Sequence, residues 1–158
     1  MRILISVAMA WLVTSIAGVA ANGVSRDFST LKSKLEGSWT FVEDGKKYDT
    51  TFEAVSQGAA LLERNSGFTV MYYPNGTALM MTLFTKDGPQ IRLQAPGLDA
   101  KTNSVNFTFK DATNLPTGAG HINGLRLTFK DTNHVLETWS MLSASGSQST
   151  FAFELTRQ

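Results

Sequence analysis

Glu137 stands in the stretch "HVLETWSML" two residues after Val135 and two before Trp139. On an extended strand successive side chains alternate between faces, so these three share one face. If that face is the interior of a folded domain, a carboxylate sits among apolar groups and needs a cation or a hydrogen-bond donor, because an unpaired buried charge is costly. If Leu136, Thr138, Ser140 and Leu142 face inward instead, Glu137 is solvated. The stretch "QIRLQ" poses the same choice. Gln90, Arg92 and Gln94 alternate with Ile91 and Leu93, so either the polar trio lines a cavity, with Arg92 as an anion holder, or the aliphatic pair packs and the trio lies outside. Met81, with Met71, Met80 and Met141, either forms a pliable surface for an apolar ligand, since thioethers adapt to varied shapes, or is plain core. The candidate ligand-binding set is therefore Met81, Gln90, Arg92, Glu137 and Trp139.

Other motifs carry less. "STLK" at Ser29 to Lys32 has the Ser-x-x-Lys spacing of some acyl-enzymes but lacks any companion motif. "GAGHING", Gly118 to Gly124, has the wrong glycine spacing for a phosphate loop and no helix after it. The sequence has no Cys/His cluster, His-Glu-x-x-His or nucleophile elbow, so no catalytic residue, metal site or cofactor is assigned.

The elements that must position these residues follow from charge and period. Fourteen Lys and Arg against thirteen Asp and Glu give a net charge of +1, which provides no basic field for nucleic acid. Residues 1–21, with Arg2, an apolar run from Ile3 and small residues at Gly18 to Ala21, have the form of a secretory signal cleaved after Ala20 or Ala21. The run is too short for a spanning anchor, which needs ~20 largely apolar residues. The expectation is a periplasmic or secreted protein with no stable membrane anchor after cleavage. Residues 22–158 contain no cysteine, so the exported domain must be stable without disulfides.

In "SRDFSTLKSKLEG", Phe28, Leu31 and Leu35 recur at helical spacing and Gly37 stops the run, which predicts one short amphipathic helix. From Ser38 the period becomes two. Turn signals at Asp44-Gly45, Gln57-Gly58, Gly67, Asn75-Gly76, Asp87-Gly88, Asp131 to Asn133 and Ser145-Gly146 separate about ten strands. Most connections are hairpin-length, so the strands should form an antiparallel up-and-down meander, and closing it into a β-barrel removes both exposed edges. Two stacked sheets with crossovers are the alternative. Val105, Phe107, Phe109, Leu125, Leu127, Phe129, Phe151, Phe153 and Leu155 alternate with polar neighbours and are expected to form one apolar wall.

"LEGSW", Leu35 to Trp39, joined to such a meander, resembles the calycin group of barrels, which includes lipocalins, fatty-acid-binding proteins and nitrobindin-like proteins. The resemblance implies that Trp39 plugs the closed end and that Arg157, the only Arg on the final strand, lies across its indole. The chain also resembles a family of bacterial exported barrels of unknown function in Gly58 to Glu63, the Tyr73 to Thr82 hairpin, Gln90 with Arg92, and Glu137 with Trp139. It departs from that family where many members carry a His-Tyr pair and this chain has Leu83-Phe84. A nitrobindin-like heme site would need a well-placed axial His, and only His121 and His134 are present. The first functional reading is a binding module whose barrel interior holds a small, mostly apolar ligand, as mouths of β-barrels often do. A structural or interaction protein with a filled barrel, and an enzyme using Glu137 and Arg92, are the alternatives.

Overall fold

Side-chain alternation builds a sheet that returns to its own beginning. The computed structural model describes residues 16–158; the signal segment, residues 1–21, lies mostly outside them. A helix, α1 (Ile16–Leu35), leads into β1 (Gly37–Glu43), β2 (Lys46–Val55), β3 (Ala60–Arg64), β4 (Phe68–Asn75), β5 (Ala78–Thr85), β6 (Gln90–Ala95), β7 (Leu98–Asp99), β8 (Ser104–Thr113), β9 (His121–Phe129), β10 (His134–Leu142) and β11 (Gln148–Arg157). All pairings are antiparallel. β1 pairs with β11 and β6 with β8, so ten strands form a closed barrel, and β7 is a two-residue addition beside β8. This is the all-β barrel that the hairpin spacing predicts, and stacked sheets are ruled out by the continuous ladder.

The helix is longer than the segment picked out by its periodicity, and the candidate cleavage point falls in its first turns. Its stripe of Val24, Phe28, Leu31 and Leu35 is buried against one end of the barrel. Two polar ties hold it there. The Asp27 carboxylate accepts the Leu98 backbone N–H at 3.0 Å, and Lys32 Nζ donates to the Gly58 carbonyl at 3.4 Å. Among the described residues no helix is long and apolar enough to cross a membrane.

At the hairpin between β4 and β5 the sequence predicts Asn75 and Gly76 as the central pair. The structure instead pairs Asn75 with Ala78, so Gly76, at φ 61, and Thr77 form the two-residue loop. Glycine at the first central position is what that tight turn demands.

The inward face of the sheet is mostly apolar: Trp39 and Phe41 on β1, Leu79, Met81 and Leu83 on β5, Ile91, Leu93 and Ala95 on β6, and Leu125, Leu127 and Phe129 on β9 are all buried. The expected wall holds for Val105, Phe107, Leu125, Leu127, Phe129 and Leu155, with Phe153 half-buried. It fails at Phe109 and Phe151, which are 36% and 41% exposed. Both lie toward the end of the barrel away from α1, where the rim is in water. β5 is buried on both faces, because Tyr73 from β4 and Lys110 from β8 reach over outward-facing Thr82 and Met80.

Candidate functional site

The barrel has two unlike ends. At the end covered by α1, Trp39 pairs in register with Arg157. The Arg157 guanidinium lies over the indole with its carbon 4.1 Å from the ring centre. The same guanidinium donates to the carbonyls of Lys34 at 2.6 Å, Glu36 at 2.8 Å and Thr132 at 3.1 Å, while Trp39 Nε1 donates to Leu35 at 2.6 Å. Those of Lys34, Leu35 and Glu36 are carbonyls at the helix C-terminus that have no helical partner. Gly37 is fixed here by space and conformation together. It sits at φ 132, and a Cβ on it would lie 2.8 Å from Arg157 Nη1.

The other end is the mouth. Phe41 stacks on Tyr48 with ring centres 5.4 Å apart and leans on Phe153 at 4.8 Å; Phe153 meets Phe151 at 5.6 Å, and Phe151 is parallel to Trp139 at 6.5 Å. Phe68, from β4 on the opposite wall, contacts Trp139 edge-on at 5.5 Å. Deeper, Tyr72 lies between Phe52 and Phe107, with centroid distances of 6.4 and 5.9 Å. Large rings thus cross the lumen at two levels. Beside them the mouth keeps a pocket of about 270 Å³, lined by Leu83, Ile91, Leu115, His121, Ile122 and Met141 among others.

Below the rings lies a polar cluster. Glu137 is inward-facing and 2% exposed, between Leu127 of β9 and Phe153 of β11. Trp139 Nε1 donates to its Oε2 at 3.2 Å. From the opposite wall Glu63, 1% exposed, accepts the Tyr72 hydroxyl at 2.7 Å. Beside this carboxyl the Thr50 hydroxyl donates to the Arg64 carbonyl at 3.1 Å.

Burial pushes the Glu63 carboxyl well above its ordinary range, and the Glu137 charge pushes it further. Burial raises Glu137 to about 7 against the opposing indole N–H. Burial and the two carboxylates also hold Tyr72 in its neutral form. Both carboxyls are thus shifted toward the protonated form, Glu137 into the neutral range.

The sequence-derived set divides. Met81, Glu137 and Trp139 face the lumen, Met81 between Tyr72 and Leu93 in the sheet. Gln90 and Arg92 do not join them. Ile91 and Leu93 take the inward positions on β6, which turns Arg92 outward to an ion pair with Asp111 and a hydrogen bond to Thr113 at 3.0 Å. No site contains both Glu137 and Arg92. Glu63 and Tyr72 are the partners that sequence reading missed. Their signal was alternation with Leu61 and Val70, but the run Ala60 to Glu63 is buried at every position, so it has no polar-apolar period. His121 sits at the mouth against Phe109, 4.5 Å between rings, and His134 is half-buried beside Asp131. Among the described residues no three His, Cys, Asp or Glu side chains group as metal ligands.

No protein-family model matches the chain, and no curated protein matches it. The architecture, a closed antiparallel ten-stranded barrel with an N-terminal helix over one end, is consistent with a calycin-like barrel.

Proposed function

We propose that this is an exported binding protein whose barrel mouth holds a small, mostly apolar molecule. One observation carries the reading: the pocket of about 270 Å³ opens among inward-facing apolar side chains, with Met141 left 39% exposed at its edge. Ligand sites in proteins are typically ~300 to 1,000 Å³ and mostly apolar, so this one suits a ligand at the small end. The rings that cross the lumen below favour a ligand at the mouth over one deep in the barrel. Export rests on the signal-like form of residues 1–21 and suits a domain without cysteine.

The filled middle of the barrel favours a second reading, a structural protein with a plugged lumen. Native mass spectrometry of protein purified from its own cells, with a titration by octan-1-ol, separates the two. A co-purified small molecule or saturable one-to-one octanol binding is expected. Neither would be seen with a plugged barrel. N-terminal sequencing of the exported fraction tests the compartment, and an intact Met1 there would reject it.

A further inference from the structure

The polar side chains around the mouth pocket all offer the same half of a hydrogen bond. Thr85, Asp87 and His121 line the pocket together with the apolar groups. The Thr85 hydroxyl donates its hydrogen to the Pro89 carbonyl at 3.3 Å, which leaves only its lone pairs. Asp87 brings a carboxylate, which accepts. His121 Nδ1 lies 3.3 Å from the Ala119 carbonyl oxygen, and since a carbonyl can only accept, Nδ1 carries the hydrogen. In the neutral ring Nε2 is then an acceptor, and among the described residues it has no hydrogen-bond partner. Three acceptors and no free side-chain donor thus line a pocket whose other side chains are apolar.

Of the three, His121 Nε2 is placed to select a ligand. Asp87 is exposed in the turn between β5 and β6, where water and salt screen its charge. His121 is half-buried and stands on a boundary. Leu115 and His121 line both the pocket and an outer recess of about 580 Å³, whose walls also include Phe109, Lys110 and Ser143. A molecule with its chain in the pocket therefore presents its polar end at that boundary. The ring is held in place from two sides, by Phe109 at 4.5 Å between ring centres and by the Ala119 carbonyl at Nδ1. Gly120 keeps this segment close to the turn between β10 and β11, since a Cβ on it would lie 2.9 Å from the Leu142 carbonyl oxygen. A fixed acceptor beside an apolar pocket penalises any head group that covers it without donating, because the acceptor then loses water and gains no partner.

We propose that the mouth pocket selects an aliphatic alcohol, whose hydroxyl donates to His121 Nε2 while its chain lies against Leu83, Ile91, Ile122 and Met141. The inference rests on the mouth being an apolar-ligand site, and it names the head group of that ligand and the residue that reads it.

The test compares octan-1-ol with its isomer heptyl methyl ether, which has the same atoms but only accepts, by calorimetric titration of the purified protein. The alcohol should bind roughly three- to tenfold more tightly, the size expected for one net hydrogen bond. His121→Phe, which keeps an aromatic ring against Phe109, should remove that advantage. A second measurement needs no variant: in nitrogen NMR of the wild type, the His121 Nε2 resonance should shift on adding octan-1-ol and stay in place on adding the ether. Equal affinities for the two probes, an unmoved Nε2 resonance, or an advantage that survives His121→Phe would overturn the proposal and leave the apolar site intact. An advantage lost in Asp87→Asn but kept in His121→Phe would overturn it in favour of the rim carboxylate. Binding of neither probe to the wild type would overturn both this inference and the mouth reading beneath it.

Discussion

At the helix-covered end of the barrel one guanidinium meets three carbonyls and an indole face, and the indole N–H meets a fourth carbonyl. At the mouth Phe109, Met141 and Phe151 stand partly in water, and Glu137 Oε1 just below lacks a partner. The two ends share one sheet and one alternation of side chains. Stability is concentrated where polar groups are matched and covered, and binding potential where they are not. The middle of the barrel, packed with Phe52, Tyr72 and Phe107, belongs with the first.

The largest effect should come from that middle. Phe107 is fully buried, and Phe107→Ala should cost ~3 to 5 kcal/mol in denaturant unfolding, the range of large-to-small core changes. A loss below about 1 kcal/mol would place Phe107 with surface positions and abolish the contrast.

The second effect is pH-dependent and belongs to the boundary between the two regions. Glu137 holds its proton more tightly folded than unfolded, so its contribution is fully present at acid pH, below its ordinary value of 4.5, and is lost as pH rises through about 7. The loss is roughly 3 kcal/mol across that window. Glu63, raised in the same direction by its burial, adds to the decline. Urea midpoints measured across the window should fall, and Glu137→Gln should flatten the fall. A flat wild-type profile would mean that the lumen is wetter than the packing indicates.

The plug gives a smaller number. A double-mutant cycle on Trp39→Phe and Arg157→Gln should show a coupling of ~0.5 to 2 kcal/mol, the range of cation–π pairs. Coupling indistinguishable from zero would reduce Arg157 to a carbonyl cap. Smallest is the mouth: Phe151→Ser should change stability by no more than about 0.5 kcal/mol, as for most surface substitutions. Met141→Ser, at the edge of the pocket, should weaken octanol binding several-fold. A large stability loss there would make the mouth part of the core and erase the distinction between the ends.

Much of the barrel was legible because hairpins are local. Glycine-containing turns and two-residue periods place ten strands, and closure follows from having a first and a last strand to pair. Other features gave no such signal. Leu98 and Asp99 are too few to show a period. The inward turn of Glu63 is hidden in a run buried on both faces, and Arg92 was ambiguous because both faces of "QIRLQ" were plausible cores until the closed sheet chose Ile91 and Leu93. The half-met carboxylate depends on what the opposite wall supplies, and contacts across a lumen leave no mark on spacing along the chain.

The guanidinium that seals the helix end comes from the penultimate residue, 121 and 123 positions away from the carbonyls it caps. The helix that precedes the barrel in the chain is thus locked by a residue of the last barrel strand. Hairpins can form as the chain lengthens, but the long-range closure that brings both ends together must come late. A chain missing Arg157 and Gln158 should therefore keep its hairpins and exchange the amide hydrogens of α1 and β1 much faster than the full chain. Equal exchange rates would show that the helix docks without its distant cap. Docking of the helix end is thereby tied to closure of the barrel, since the strand that closes the sheet also carries the cap.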